Sequence, residues 1–146
     1  MLRCPLHSPG YHTTLTGGMT HPTRESLTYA AALLDTGEEE LRQRAQGILR
    51  RILALQDQDP SSKTYGIWSW FAEEPLTQMS PPDWNWADFC GTQLLEVALN
   101  HSGEVEPEIL AADLSLLDHP YGPWLVRLWI WWEDASVGQR GSGKEA

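Results

Sequence analysis

From Thr20 onward apolar residues recur with the spacing of one helix face. Leu27, Ala30, Ala31 and Leu34 fall at i, i+3, i+4 and i+7 after Pro22, which suits a helix start, and the stripe stops at Asp35-Thr36-Gly37. A second stripe follows at once: Leu41, Ala45, Ile48, Leu49, Ile52 and Leu55. Thr36 and Glu39 have the spacing of a capping box. Glu38 to Glu40 place negative charge at the helix N-terminus, and Arg50 and Arg51 place cations near its end. The pattern predicts a helical hairpin with a tight turn.

A second hairpin is predicted further along. Its first helix begins near Asn85, with Asn85 or Asp83 as N-cap, and has Trp86, Phe89, Cys90, Leu94, Val97 and Ala98 on its inner face. Asn100-His101-Ser102-Gly103 ends it, and Pro107 opens a fourth helix through Ile109, Leu110, Leu114 and Leu117. The two hairpins share a layout: apolar helix, Gly-containing turn, glutamates, apolar helix. Such units bury their faces on neighbours, so two are an incomplete set. The fold class is therefore all-α: antiparallel helical hairpins forming part of a solenoid or toroid.

Outside the hairpins the pattern breaks down. Residues 1–19 are rich in Gly, Pro, Thr and His without an apolar period and read as an extended arm; residues 20–119 form the helical-hairpin domain. Residues 120–146 are a tryptophan-dense segment followed by a flexible tail, with a fifth, helical element expected from Trp124 to Glu133. Between the hairpins lies YGIWSWFAEEPLTQMSPPDWNWADFCG, Tyr65 to Gly91, where Pro75, Pro81 and Pro82 forbid one continuous helix. A connection normally carries small polar residues. This one carries Trp68, Trp70, Trp84 and Trp86. Either the rings fold back as a lid over the core, or they line a concave site.

Composition narrows the choice of ligand. The 146-residue chain carries 20 acids against 10 Lys and Arg, a net charge of −10, which repels phosphate backbones and anionic lipid surfaces. No nucleic-acid or membrane partner is expected. Cys4 and Cys90 do not make a disulfide framework, and the five histidines are scattered without the Cys/His spacing of a zinc site, so no metal and no cofactor is expected. MLRCPLHSPGYH lacks the apolar run of about 7–15 residues that directs export, and Trp124 to Trp132 is too short to span a bilayer, which favours a cytoplasmic location.

Tyr65-Gly66-Ile67-Trp68-x-Trp70, Glu73-Glu74-Pro75 and Pro81-Pro82-Asp83-x-Asn85-Trp86-Ala87-Asp88-Phe89, preceded by a helical hairpin, resemble the N-terminal part of bacterial and fungal proteins of the six-hairpin (α/α) toroid class. That class holds glycoside hydrolases, polysaccharide lyases and many members of no assigned activity. The similarity runs from roughly Gly10 to Leu110, two of the six hairpins. It implies a carbohydrate-related protein whose partner is an oligosaccharide or polysaccharide. The tail after His119 departs from the pattern, and without further hairpins the central cleft does not close. A truncated or frame-shifted product, self-associating through unfinished helical faces, is therefore one expectation, and a non-catalytic protein-interaction module is another.

Carbohydrate sites set aromatic rings against the apolar faces of sugars and let carboxylates and amides accept hydroxyl protons. Tyr65, Trp68, Trp70, Trp84, Asn85 and His12 are the candidate substrate-binding residues. Glycoside hydrolysis uses two carboxyl groups roughly 5–10 Å apart, for which Glu73 or Glu74 with Asp83 or Asp88 are the candidates. A lyase would need a base and a neutralising group, for which Tyr11, His12, Tyr65, Asn85 and Lys63 are available. Structural roles compete with each: Trp86 as a plug of the hairpin end, Asp83 as a cap, Asp88 as a first-turn acid, and the adjacent glutamates in solvent.

Overall fold

The computed structural model describes residues 1–7 and 12–115. Each helix forms where its stripe predicts: α1 spans Thr23–Leu34, α2 Glu39–Leu53, α3 Asn85–Asn100 and α4 Pro107–Ser115. Leu27, Ala30 and Leu34 of α1 meet Ala45, Ile48, Leu49 and Ile52 of α2 in one apolar cluster, which Trp86, Cys90, Leu94 and Val97 of α3 and Ile109 of α4 extend. The result is a mostly helical domain of two hairpins packed side by side. The element expected at Trp124–Glu133, and Tyr11 and Leu117, lie outside the described residues.

Contacts along the hairpins fix their relative direction. Trp86 bonds Thr23, Thr28 bonds Gln93 at 2.8 Å, and His101 Nε2 lies 3.2 Å from Asp35 Oδ1. The starts, middles and ends of α1 and α3 are thus paired, and the two helices run in the same direction. The second turn docks on α2 through Gln46, which donates to the Glu104 carbonyl at 3.1 Å, and through the Arg50–Glu106 ion pair.

Three local expectations are corrected. Thr36 and Glu39 do not form a capping box. Gly37 turns the chain at φ 69°, the left-handed region glycine enters freely, and Thr36 Oγ1 donates to the Leu33 carbonyl while accepting from the Glu38 N–H, so Glu38 becomes the residue before α2. Phe89 does not point inward: it is 44% exposed, because the buried stripe of α3 runs through positions 86, 90, 94 and 97 and leaves 89 at its flank. The domain is also not purely helical. The arm pairs with itself as a two-stranded antiparallel hairpin, β1 (Cys4–Pro5) with β2 (Met19–Thr20).

That hairpin is tied to the body. Leu2 N–H donates to Ser26 Oγ at 3.1 Å, and β2 leads straight into α1. The stretch from Ile67 to Met79 then crosses the α1 N-terminus: the Trp70 carbonyl accepts the Thr23 N–H at 3.0 Å, and the Ala72 N–H donates to the His21 carbonyl at 3.0 Å. A helix start leaves N–H groups without intrahelical acceptors, and one of them is met here by a strand-like segment 47 residues downstream. Pro75 precedes a short 3-10 turn over Leu76–Gln78, as the prolines require.

Candidate functional site

Part of the tryptophan-rich stretch is core. Ile67, Trp68, Phe71 and Met79 are buried, and Trp68, 1% exposed, donates its indole N–H to the Ile52 carbonyl at 2.8 Å. A ring so enclosed presents no open face to a ligand, unlike the exposed binding ring that the sequence suggests at Trp68. The indole is held at the last turn of α2, at a carbonyl that also accepts the Leu55 N–H at 3.0 Å.

The other rings form a connected row. His12 lies 5.2 Å from Trp70, Trp70 lies 5.1 Å from Trp86 at 35°, and Trp86 meets Phe89 edge-on at 5.8 Å and 84°. These separations are the favourable range for aromatic pairs. Both central indoles are oriented by their N–H groups: Trp70 donates to Asp83 Oδ2 at 3.0 Å, and Trp86 donates to Thr23 Oγ1 at 2.7 Å. Thr23, fully buried, in turn donates to the Ser69 carbonyl at 2.8 Å. One hydroxyl therefore joins the start of α1, the aromatic stretch and α3.

Above Trp70 and Trp86 opens a groove of about 310 Å³. Its floor is Trp70, Phe71 and Trp86, one wall is Cys4, Pro5 and His7 of the arm, and the other is Pro22, Arg24 and Glu25 at the start of α1. The Arg24 guanidinium sits 5.5 Å from the ring centroids of both Trp86 and Phe89, and its Nη2 donates to Glu25 Oε1 at 2.7 Å. A cation this close to two aromatic rings is attracted by both.

Of the ten candidate site residues, Trp70 alone lines this groove. The candidate carboxylates are occupied elsewhere. Glu73 holds β2 to the stretch: Oε1 is 2.5 Å from His21 Nδ1, and Oε2 accepts the His21 N–H at 3.0 Å. Burial would raise its pKa, but the hydrogen bonds from the His21 ring, the His21 N–H and its own backbone more than offset this and hold the carboxyl below its ordinary value. Glu74 is not solvated but fully buried. Its Oε1 accepts both the N–H and the hydroxyl of Thr14, at 2.6 and 2.7 Å, while Oε2 has no hydrogen-bond partner among the described residues. Asp83 accepts from Trp70 and from the Asn85 N–H and Nδ2, at 3.1 and 3.2 Å. The last two contacts form an Asx turn ahead of α3; Trp84 is the residue that precedes the helix and Asn85 its first residue, so neither Asp83 nor Asn85 is the N-cap expected from the sequence.

Asp88 lies half-buried in the first turn of α3, Asn85 is exposed but folded back on Asp83, and Tyr65 is half-buried in the turn before Gly66. His12 adopts a left-handed backbone at φ 66°, with Nδ1 2.6 Å from the Pro81 carbonyl. Trp84 is 50% exposed beside the N-terminus of α3. Sequence reasoning missed Arg24, Glu25 and the arm residues. The pair Arg24-Glu25 reads as an ordinary solvated first turn, and no local pattern connects residues 4–7 with residue 70. Among the described residues no three His, Cys, Asp or Glu side chains converge as a metal site, and no helix is long and apolar enough to cross a membrane.

No curated protein and no solved structure matches the chain. The family model of a domain of unknown function, DUF8769, matches residues 7–117, and the chain belongs to that family.

Proposed function

We propose that this DUF8769 domain is a carbohydrate-binding part of an (α/α)-toroid-like helical protein, taking a sugar ring against the half-buried Trp70 in the groove, with the buried Trp86 packed behind it. The observation that carries the reading is the tilted indole pair at the floor of a groove whose rim holds Arg24 and Glu25. Indole faces suit the C–H face of a pyranose, and a guanidinium beside a carboxylate supplies donors and an acceptor to its hydroxyls. Parallel α1 and α3 favour the array, because stacked hairpins of this kind repeat in register.

Binding is favoured over hydrolysis. A glycosidase sets two carboxyl groups across the ring, whereas Glu73, Glu74 and Asp83 hold the chain to itself and none of them lines the groove. The test is a titration with soluble oligosaccharides, neutral and uronic, followed by tryptophan fluorescence. A saturable change that disappears in Trp70→Ala is expected, and no response to any glycan refutes the reading.

A second reading rests on Trp84 and Phe89, large apolar side chains 50% and 44% exposed near the start of α3. Such residues suit a protein partner or a second copy. Size-exclusion at several concentrations, with Trp84→Ala as control, separates this from a monomer that binds glycan.

A further inference from the structure

We infer that Arg24 and Glu25 make the groove select neutral saccharides with a free vicinal diol and discriminate against uronic ones; the inference rests on the carbohydrate reading above. The two side chains are 42% and 40% exposed and face the groove as one unit. A guanidinium has five N–H bonds. Among the described residues only one, on Nη2, has a protein acceptor, and Glu25 Oε2 has no protein donor. The groove therefore presents several donors and one acceptor oxygen side by side, next to its aromatic lining.

That arrangement matches adjacent ring hydroxyls. Each hydroxyl is both donor and acceptor, so two neighbouring oxygens can take parallel N–H groups from Arg24 while one of them gives its proton to Glu25. The contacts of the guanidinium with the Trp86 and Phe89 rings and its bond to Glu25 restrain this edge before the ligand arrives, which reduces the ordering that binding costs. A uronate carboxylate meets the opposite situation. Glu25 already neutralises Arg24 at 2.7 Å, the added anion would lie beside Glu25, and the whole chain carries −10. Among the described residues no lysine lines the groove to compensate.

The test is isothermal titration of the full chain with neutral oligosaccharides (xylo-, manno- and gluco-series), with oligogalacturonides of equal length, and with a 2,3-di-O-methylated neutral ligand. The neutral ligand that binds best should do so at least about tenfold more tightly than any uronic one and lose about tenfold on methylation. Arg24→Lys, which keeps the charge but loses the planar fork, should weaken neutral binding by about tenfold with an unchanged melting temperature. Glu25→Gln should narrow or reverse the neutral-over-uronic preference. A uronic ligand bound as tightly as the neutral one overturns the inference, as does neutral binding indifferent to both substitutions or to methylation; in each case the carbohydrate reading stands. No binding of any class overturns both.

Discussion

Replacing Thr23 by Val tests whether one buried hydroxyl joins the groove floor to the body. The two side chains are close in volume, so the change removes a polar atom and leaves no large cavity. The Trp86 indole N–H loses its 2.7 Å acceptor, the Ser69 carbonyl loses its 2.8 Å donor, and the Trp70 carbonyl keeps the Thr23 backbone N–H at 3.0 Å. Thr23 is fully exposed to none of the solvent and Trp86 is almost fully buried, so water does not readily replace either partner. An orphaned buried polar group costs about 1–3 kcal/mol, and with two affected a loss of about 3 kcal/mol is expected. For a domain this size that is a large share of a total near 5–15 kcal/mol. Urea unfolding followed by tryptophan fluorescence should show the midpoint fall by about 2 M without a change in slope. Thr28→Val, which removes an exposed bond to Gln93, is the control and should change stability by less than about 0.5 kcal/mol. A Thr23→Val variant within about 0.5 kcal/mol of the parent would refute the account of Thr23 as a shared joint.

Trp68→Phe removes the indole bond to the Ile52 carbonyl, which still accepts the Leu55 N–H at 3.0 Å, and should cost about 2 kcal/mol in urea unfolding. Glycan affinity should be unchanged, and a lost affinity would return Trp68 to the binding site. Glu73 has a folded pKa below its ordinary 4.5, so its contribution is fully present above that value and is lost as pH falls through the depressed one. Melting temperatures from about pH 6 to about pH 3 should drop more steeply in the parent than in Glu73→Gln, and parallel curves would remove the His21–Glu73 contact from the stability account. Burial foremost pushes the Cys90 thiol far above its usual range, whereas Cys4 is partly exposed, so a thiol reagent should label one cysteine in the folded chain and both in urea.

Helices were legible in the sequence because each buries one continuous stripe, and a stripe at a period near 3.6 residues is a local signal. Cys90 could be placed in the core on that ground alone, and it is fully buried. Features that depend on distant pairing left no such signal. Thr14 has to meet Glu74 and His21 has to meet Glu73 before the arm becomes a wall, and neither pair is suggested by spacing. The Thr36-Glu39 pair shows the converse error. A correct spacing lost to a glycine turn that reoriented the threonine towards the helix it follows.

The paired glutamates explain why the aromatic stretch divides as it does. Glu73 and Glu74 are neighbours in sequence, yet one grips His21 at the end of β2 and the other grips Thr14 in the loop before it. Between them they fix the segment against the arm on one side, while Trp70 and Thr23 fix it against α1 on the other. Trp68, two residues before Trp70, is carried into the core at the end of α2, where its indole N–H donates to the Ile52 carbonyl. Trp70 is drawn to Asp83 and left half-buried at the groove. A carboxylate pair that looks like catalytic equipment by composition is therefore the fastening that gives an aromatic floor its arm-side wall. Loosening that fastening should change the groove before it changes the helices.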